Sequence, residues 1–214
     1  MDSPRLLNLG CGHVTPDGWI NVDGSNRAWL ASKLPFVNRA LVSLKILSPT
    51  EFSDNTHHAD LTKRFPWDEG SIDAIYMGEI LEHFTKEDGE HVLRECFRVL
   101  KQGGIIRIRV PDNARFWKNY LEEYDAVRVL PRTEWNEHHS RWVKMFFNDI
   151  CVRKPGSFRS FGHFHKWMYD EVSLILLLEI IGFREADRME FHKSRLPGIE
   201  KVEVRAELIV EAIK

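Results

Sequence analysis

Cysteine is scarce and scattered: the 214 residues hold three, Cys11, Cys96 and Cys151, with no Cys-x-x-Cys. An odd number at such wide spacing builds neither a disulfide framework nor a thiolate zinc site, and it fits a reducing compartment. Long apolar runs are missing as well. The densest, Val172 to Ile181, is too short to span a bilayer and contains Glu179. The chain passes from Met1 into an apolar strand-like segment, without the basic start and long apolar core of a secretory leader. These absences point to the cytoplasm and away from a membrane. Nor is there an excess of charge of one sign: 30 Lys+Arg against 32 Asp+Glu leaves −2. The whole chain therefore carries no electrostatic footprint for nucleic acid, and no such partner is expected. Internal repeats and low-complexity tracts are lacking too, so one domain over 1–214 is the expectation.

What is present alternates between strand-like and helix-like segments, the pattern of a parallel sheet with helices on its faces. Arg5 to Leu9 is a short apolar run ending in Gly10-Cys11-Gly12, and Trp19 to Asp23 is a second, ending in an acid. Residues 26–48 read as helical in two pieces broken at Pro35; His57 to Leu61 and Ile72 to Met77 read as strands. The clearest helix follows. Thr85 is its cap, Asp88 the capping-box partner, and Val92, Leu93, Cys96, Phe97 and Leu100 recur at helical spacing before Gly103-Gly104. Ile105 to Val110 is another strand, stopped by Pro111. Asp170 caps an apolar helix that ends at Gly182, and strand-like runs around Arg188 to His192 and Val202 to Ala212 close the chain.

Residues 113–169 break the alternation. They hold four of the seven tryptophans and four of the ten histidines, and ten Lys+Arg against six Asp+Glu give them +4, so the rest of the chain carries −6. This segment is expected to be a helical lid packed over the carboxyl ends of the strands. Its aromatic and cationic content suits a sugar or a phosphate-bearing small molecule, because aromatic faces stack on sugar rings and arginine forks bind phosphate. A lid's own apolar core and a solvated basic face are the competing reading.

The residues after the strands carry the chemistry. In an open parallel sheet ligands bind outside the carboxyl ends of the strands. Gly10 and Gly12 directly after the first strand let backbone approach a ligand that a Cβ would exclude. Asp23 ends the second strand, where a carboxylate can accept both hydroxyls of a ribose. Asp60, after the third, can accept from an adenine amino group, with apolar neighbours flanking the ring.

Leu6-Leu7-Asn8-Leu9-Gly10-Cys11-Gly12, then Val22-Asp23-Gly24-Ser25, then Asp60-Leu61 with Phe65-Pro66-Trp67-Asp68 and Ser71-Ile72-Asp73 resemble the class I S-adenosylmethionine (SAM)-dependent methyltransferases, in particular the type-11 group. Ile75 to His83 resembles that group's fourth strand and following loop. Arg98 to Gly104 resembles its Arg-Val-Leu-Lys-Pro-Gly-Gly turn, with Gln102 in place of proline. The resemblance implies a Rossmann-like, doubly wound α/β fold, with a mostly parallel seven-stranded sheet, helices on both faces, an antiparallel last strand and the insertion before the last helix. It implies SAM as cofactor. Asn8, Gly10, Cys11 and Gly12 would line its methionine end, Asp23 hold the ribose, Asp60 and Leu61 contact adenine, and Gly78 and Glu79 border the methionine moiety. Two departures stand out. Asn8 occupies a position where the family often has an acid. Only nine residues, Gly10 to Gly18, separate the first two strands, so the family's first helix must be very short or missing. The competing cofactor, a dinucleotide, is disfavoured because the third glycine of Gly-x-Gly-x-x-Gly is Thr15.

A hydroxyl acceptor usually needs a base, and histidine is best placed in pKa for it. The candidates are His83, His138, His139, His163 and His165; a surface or core role competes with each, and His165 and His83 come first, His139 third. A metal is not expected, since His138-His139 with His163-x-His165 matches no strong zinc spacing and no cysteine joins them. The reading is a SAM-dependent methyltransferase acting on a small-molecule or saccharide acceptor, at oxygen. The alternatives are a SAM-binding protein without transferase activity and, third, an NAD-dependent oxidoreductase.

Overall fold

The computed structural model describes residues 3–47, 55–145 and 165–214. Residue 48 of the second expected helical piece, residues 146–164 of the expected lid, His163 and Cys151 lie outside them, as does the side chain of Trp142. Seven strands form one sheet: β1 (Leu6–Leu9), β2 (Trp19–Asp23), β3 (Thr56–His58), β4 (Ile72–Gly78), β5 (Leu100–Val110), β6 (Arg184–Arg188) and β7 (Leu208–Ile213). Their order is β3-β2-β1-β4-β5-β7-β6. The first five run parallel, and β7 is antiparallel to both β5 and β6. Six helices accompany them among the described residues: α1 (Asn26–Lys33), α2 (Pro35–Ser43), α3 (Lys86–Val99), α4 (Asn113–Arg128), α5 (Trp135–Met145) and α6 (Glu171–Ile181). This is the doubly wound α/β fold that the alternation and the resemblance imply. Among the described residues, no helix is long and apolar enough to cross a membrane.

Period-two alternation sorts the strand side chains between the faces. Leu7, Leu9, Ile75, Met77, Ile106, Ile108, Leu208 and Val210 join Val92, Leu93 and Cys96 of α3 and Leu174 and Leu178 of α6 in one core. On the opposite face Leu6, Ala74 and Tyr76 pack with Trp19, Leu196, Ile199 and Val202. Part of that second face is thus closed by the connection between β6 and β7, which contains only a short 3-10 turn at Ile199–Lys201.

The crossover from β1 to β2 carries no helix, as its length requires. Two buried asparagines organise it. Asn8 Nδ2 donates to Val14 O (2.8 Å) and to Asn21 Oδ1 (3.0 Å), and Asn21 Nδ2 donates to Pro16 O (3.1 Å) and Trp19 O (3.3 Å). Side-chain amides replace the backbone bonds that a helix would make for itself. Asn8 is therefore committed inside the loop; an acid there could accept but not donate.

Several boundaries differ from the sequence reading. β3 ends at His58, because Asp60 Oδ1 takes the N–H (3.0 Å) and hydroxyl (2.7 Å) of Thr62 and turns the chain. α3 ends at Val99, not at the glycine pair. Gly103-Gly104 instead sits in an irregularity of β5, where the pairing jumps from Ile72↔Leu100 to Ala74↔Ile105; a Cβ on Gly104 would stand 2.9 Å from Lys101 O. β6 lies at 184–188, not 188–192: the His192 N–H is taken by Glu203 (2.8 Å). β7 begins at Leu208, because Glu203 turns into the sheet to meet Arg107. Both predicted cap residues hold, though among the described residues only half of the box expected at Thr85 and Asp88 forms. Thr85 Oγ1 accepts from the Asp88 N–H (3.1 Å), and Asp170 with Ser173 forms a reciprocal box at the start of α6.

Candidate functional site

The strand order reverses between β1 and β4, and this is where an open α/β sheet leaves its crevice. Gly10 follows β1 with φ +69°, and its N–H and that of Cys11 bond to Val22 O (2.8 and 3.0 Å). A Cβ on Gly10 would come 2.4 Å from Ile80 Cδ1, so the loops after β1 and β4 touch at a point that only glycine permits. Asp23, ending β2, accepts from the Gly12 N–H through Oδ2 (3.2 Å) and from the Ser25 N–H through Oδ1 (2.8 Å). Each oxygen keeps a lone pair. One carboxylate thus fixes the glycine loop and still presents acceptors at the strand end.

Asp23 pairs in register with His58, and the Ala59 N–H bonds to Asp23 O (3.3 Å), which brings Asp60 to the adjacent strand end. Asp60 is exposed, and the Thr62 hydroxyl holds its carboxyl below the usual range. Leu61 and Phe65 are buried behind it, with Trp67 edge-on to Phe65 at 5.8 Å. Cys11 is buried, and burial, aided by the Asp23 charge, pushes its thiol up to about 12. It is packing, not a nucleophile.

Gly78 ends β4, and Glu79 follows at φ +54°, a conformation uncommon for a non-glycine residue. Two arginines hold it there: Arg109 Nη2 and Arg205 Nη1 each lie 3.3 Å from its carboxylate, and its N–H bonds to Arg109 O (2.8 Å). The 3-10 turn Leu81–His83 comes next.

At this turn the chain assembles a cluster that no local sequence pattern announces. Glu82 is 1% exposed. Its carbonyl accepts the N–H groups of Lys166 (2.7 Å) and Trp167 (3.2 Å), which fastens the far end of the insertion to the loop after β4. His165 is thereby brought to His83, ring centroids 5.0 Å apart, and its Nε2 lies 3.9 Å from Glu82 Oε1. Desolvation raises the Glu82 carboxyl to about 8. The two leading histidine candidates, singled out separately in the sequence, therefore meet, and Glu82 joins them unforeseen. Its only advance signal was an acid between Leu81 and Phe84. His139 is not part of this cluster. It is exposed on α5, beside His138, whose Nδ1 pairs with Glu123 of α4 at 3.2 Å.

The insertion leaves and returns at the carboxyl edge, where the Asn113 N–H bonds to Tyr169 O (3.2 Å). α4 packs against α5 and has no buried residue. Trp117 is 43% exposed.

The family described as a methyltransferase domain matches residues 7–108, which run from β1 into β5 and contain Gly10, Asp23, Asp60, Gly78 and Glu79. Residues 7–108 of the chain, a little under half of it, are thus similar to the class I SAM-dependent methyltransferase domain, and that similarity implies S-adenosylmethionine as cofactor. None of the curated proteins matches the sequence. Among solved structures, a SAM-dependent methyltransferase from Archaeoglobus fulgidus superposes with a TM-score of 0.54 at 15% identity, covering 100% of this chain and 87% of that one. Another, from Methanosarcina mazei, gives 0.52 at 15% identity, with 100% and 92% covered. At such identity the likeness is one of fold.

The residues present suit this cofactor: Gly10 lets the loops after β1 and β4 close on each other at the crevice, and Asp23 has acceptor capacity to spare. The Gly10→Ala variant tests that close approach. A left-handed alanine costs about 1–2 kcal/mol, and Ile80 must move aside besides. Thermal unfolding should shift down and S-adenosylhomocysteine binding, read by calorimetry, should weaken. A variant unchanged in both would show that the Gly10–Ile80 contact has slack.

Proposed function

We propose that the protein transfers the SAM methyl group to a hydroxyl of a small-molecule or saccharide acceptor. The observation that carries this reading is the His83–His165–Glu82 cluster, set directly after the Gly78–Glu79 end of β4. SAM supplies an electrophilic methyl on a sulfonium. The chain's own share is alignment and proton handling. Asp23 holds the ribose, Asp60 and Leu61 the adenine, and Asn8, Gly10, Cys11 and Gly12 shape the methionine end with Gly78 and Glu79. An imidazole of the cluster accepts the acceptor's hydroxyl proton as the O–CH3 bond forms and the S–CH3 bond breaks.

Residues 113–169 serve in this reading as the acceptor lid. Its support is the placement of Trp167 beside Glu82, with Lys86 Nζ 5.7 Å from the Trp167 ring centroid, an aromatic and cationic edge suited to a polar ring.

The test is transfer of labelled methyl from SAM to a panel of sugars and hydroxylated small molecules. In the His165→Ala variant turnover should fall by about tenfold, less than the full effect of a general base because His83 substitutes in part, while S-adenosylhomocysteine affinity stays constant. Undiminished turnover in both His165→Ala and His83→Ala would remove the cluster from the reaction. Hydrogen exchange tests the lid: acceptor added to the cofactor complex should protect 113–169, and a lid left unprotected by a turned-over acceptor is no lid.

A further inference from the structure

The Glu82 carboxylate, the His83 ring and the His165 ring each bring one ligand-type atom to within 4.8 Å of the others. Two of the three come from one short turn. The third arrives from 82 residues away and is held by two backbone hydrogen bonds to the carbonyl of Glu82 itself. Such a clip fixes the third group relative to the other two before anything binds. The carboxylate is fully sheltered, and among the described residues nothing hydrogen-bonds its Oε2. A buried carboxylate oxygen without a donor is costly, and a cation is one of the few partners that removes the cost.

The geometry points to a divalent transition-metal site formed by Glu82, His83 and His165, with at least one position left open for an oxygen of the acceptor. Two imidazoles and a carboxylate are the donor set of zinc and iron(II) sites, whereas magnesium and calcium favour oxygen alone. Three protein ligands are also what a catalytic site offers, since structural zinc sites close the fourth position. Bond lengths of about 2.0–2.1 Å place tetrahedral ligands about 3.3 Å apart. The 3.9 Å between His165 Nε2 and Glu82 Oε1 is then about 0.6 Å too wide, and the widest separation within the cluster at most about 1.5 Å too wide. Reorientation of the two half-buried imidazole rings is the movement that metal binding would require.

The sequence reading expected no metal because it looked for spacing, and here the spacing is supplied by the fold. The role given to the ion rests on the proposed transferase function; its binding does not. The general-base role proposed above belongs to the metal-free cluster; a bound ion would engage the imidazole nitrogens as ligands and would itself supply the polarisation that makes the acceptor hydroxyl lose its proton.

The experiment is titration of the chelator-treated full chain with Co2+, followed by its visible absorption and by competition with Zn2+. One equivalent should bind with the bands of a low-symmetry nitrogen–oxygen site, and Zn2+ should displace it. His83→Ala and His165→Ala should each weaken binding by about tenfold or more, and the double variant should lose it. His139→Ala should leave it unchanged. S-adenosylhomocysteine affinity and the urea midpoint of each variant confirm that it is folded. Failure of the wild type to bind Co2+, or binding that survives in the folded double variant, overturns the site. Since the readout is the metal, failure to methylate any acceptor would count against the transferase reading alone.

Discussion

The Arg107→Met variant is expected to lose about 3–5 kcal/mol of stability, the range for removing one partner of a buried ion pair. Arg107 lies in β5 with no exposed surface. Its guanidinium donates to Glu203 Oε1 (2.9 Å) and Oε2 (2.8 Å), to Glu211 Oε2 (3.2 Å), and to the carbonyls of Lys193 (2.8 Å) and Glu190 (2.9 Å). The side chains of Glu203 and Glu211 are fully buried. Methionine fills similar volume but leaves these acceptors without their donor. Glu211 keeps Arg195 Nε (2.9 Å) and the Ser194 hydroxyl; Glu203 keeps the His192 N–H and no cation among the described residues. The carbonyls of 190 and 193 are also released, so the segment closing the second face of the sheet should loosen. Urea unfolding measures the loss, and the double variant Arg107→Met, Glu203→Gln should recover part of it by removing the stranded charge. A loss below about 1 kcal/mol would place the network among dispensable surface pairs.

The second large effect is on binding. Asp23→Ala should weaken S-adenosylhomocysteine by about 1.5–3 kcal/mol, about 10- to 150-fold. Two causes act together. In the proposed site the ribose would lose its charged acceptor, and the Gly12 and Ser25 N–H groups lose theirs, so the glycine loop is no longer tied to the end of β2. Asp23→Asn separates them. The amide oxygen can still accept one N–H while the charge is gone, and its affinity should fall between wild type and alanine. Calorimetry gives both values, and a thermal melt checks the fold. Wild-type affinity in folded Asp23→Ala would take this carboxylate out of the cofactor site.

The residues proposed for the cofactor half of the site were readable because they are local. Gly10 and Gly12 after one apolar run, Asp23 closing the next and Asp60 after the third fall at strand ends, and a strand end is a feature of short-range pattern. The missing helix between β1 and β2 was readable as well, since nine residues leave little room for one. Asn8 shows the limit. Its match to the family suggested cofactor contact, while the structure spends its amide on Val14 and Asn21 to hold that same crossover.

The sequence alone determined the strand periodicity, the caps at Thr85 and Asp170, and the acids and glycines at the carboxyl ends, because each depends on neighbours a few residues away. The tertiary structure decided the rest. Ile-Arg-Ile-Arg-Val in β5 reads as one buried and one solvated face, yet Arg107 and Arg109 are buried, because residues 190–203 fold over that face and bring Glu203 to the guanidinium. Glu82 reads as an ordinary polar residue after a strand; it becomes a sheltered carboxylate between two histidines only when Lys166 and Trp167 bond to its carbonyl. Burial of a charge depends on which distant segment covers it. Periodicity reports the direction a side chain points, and not what the fold places in front of it.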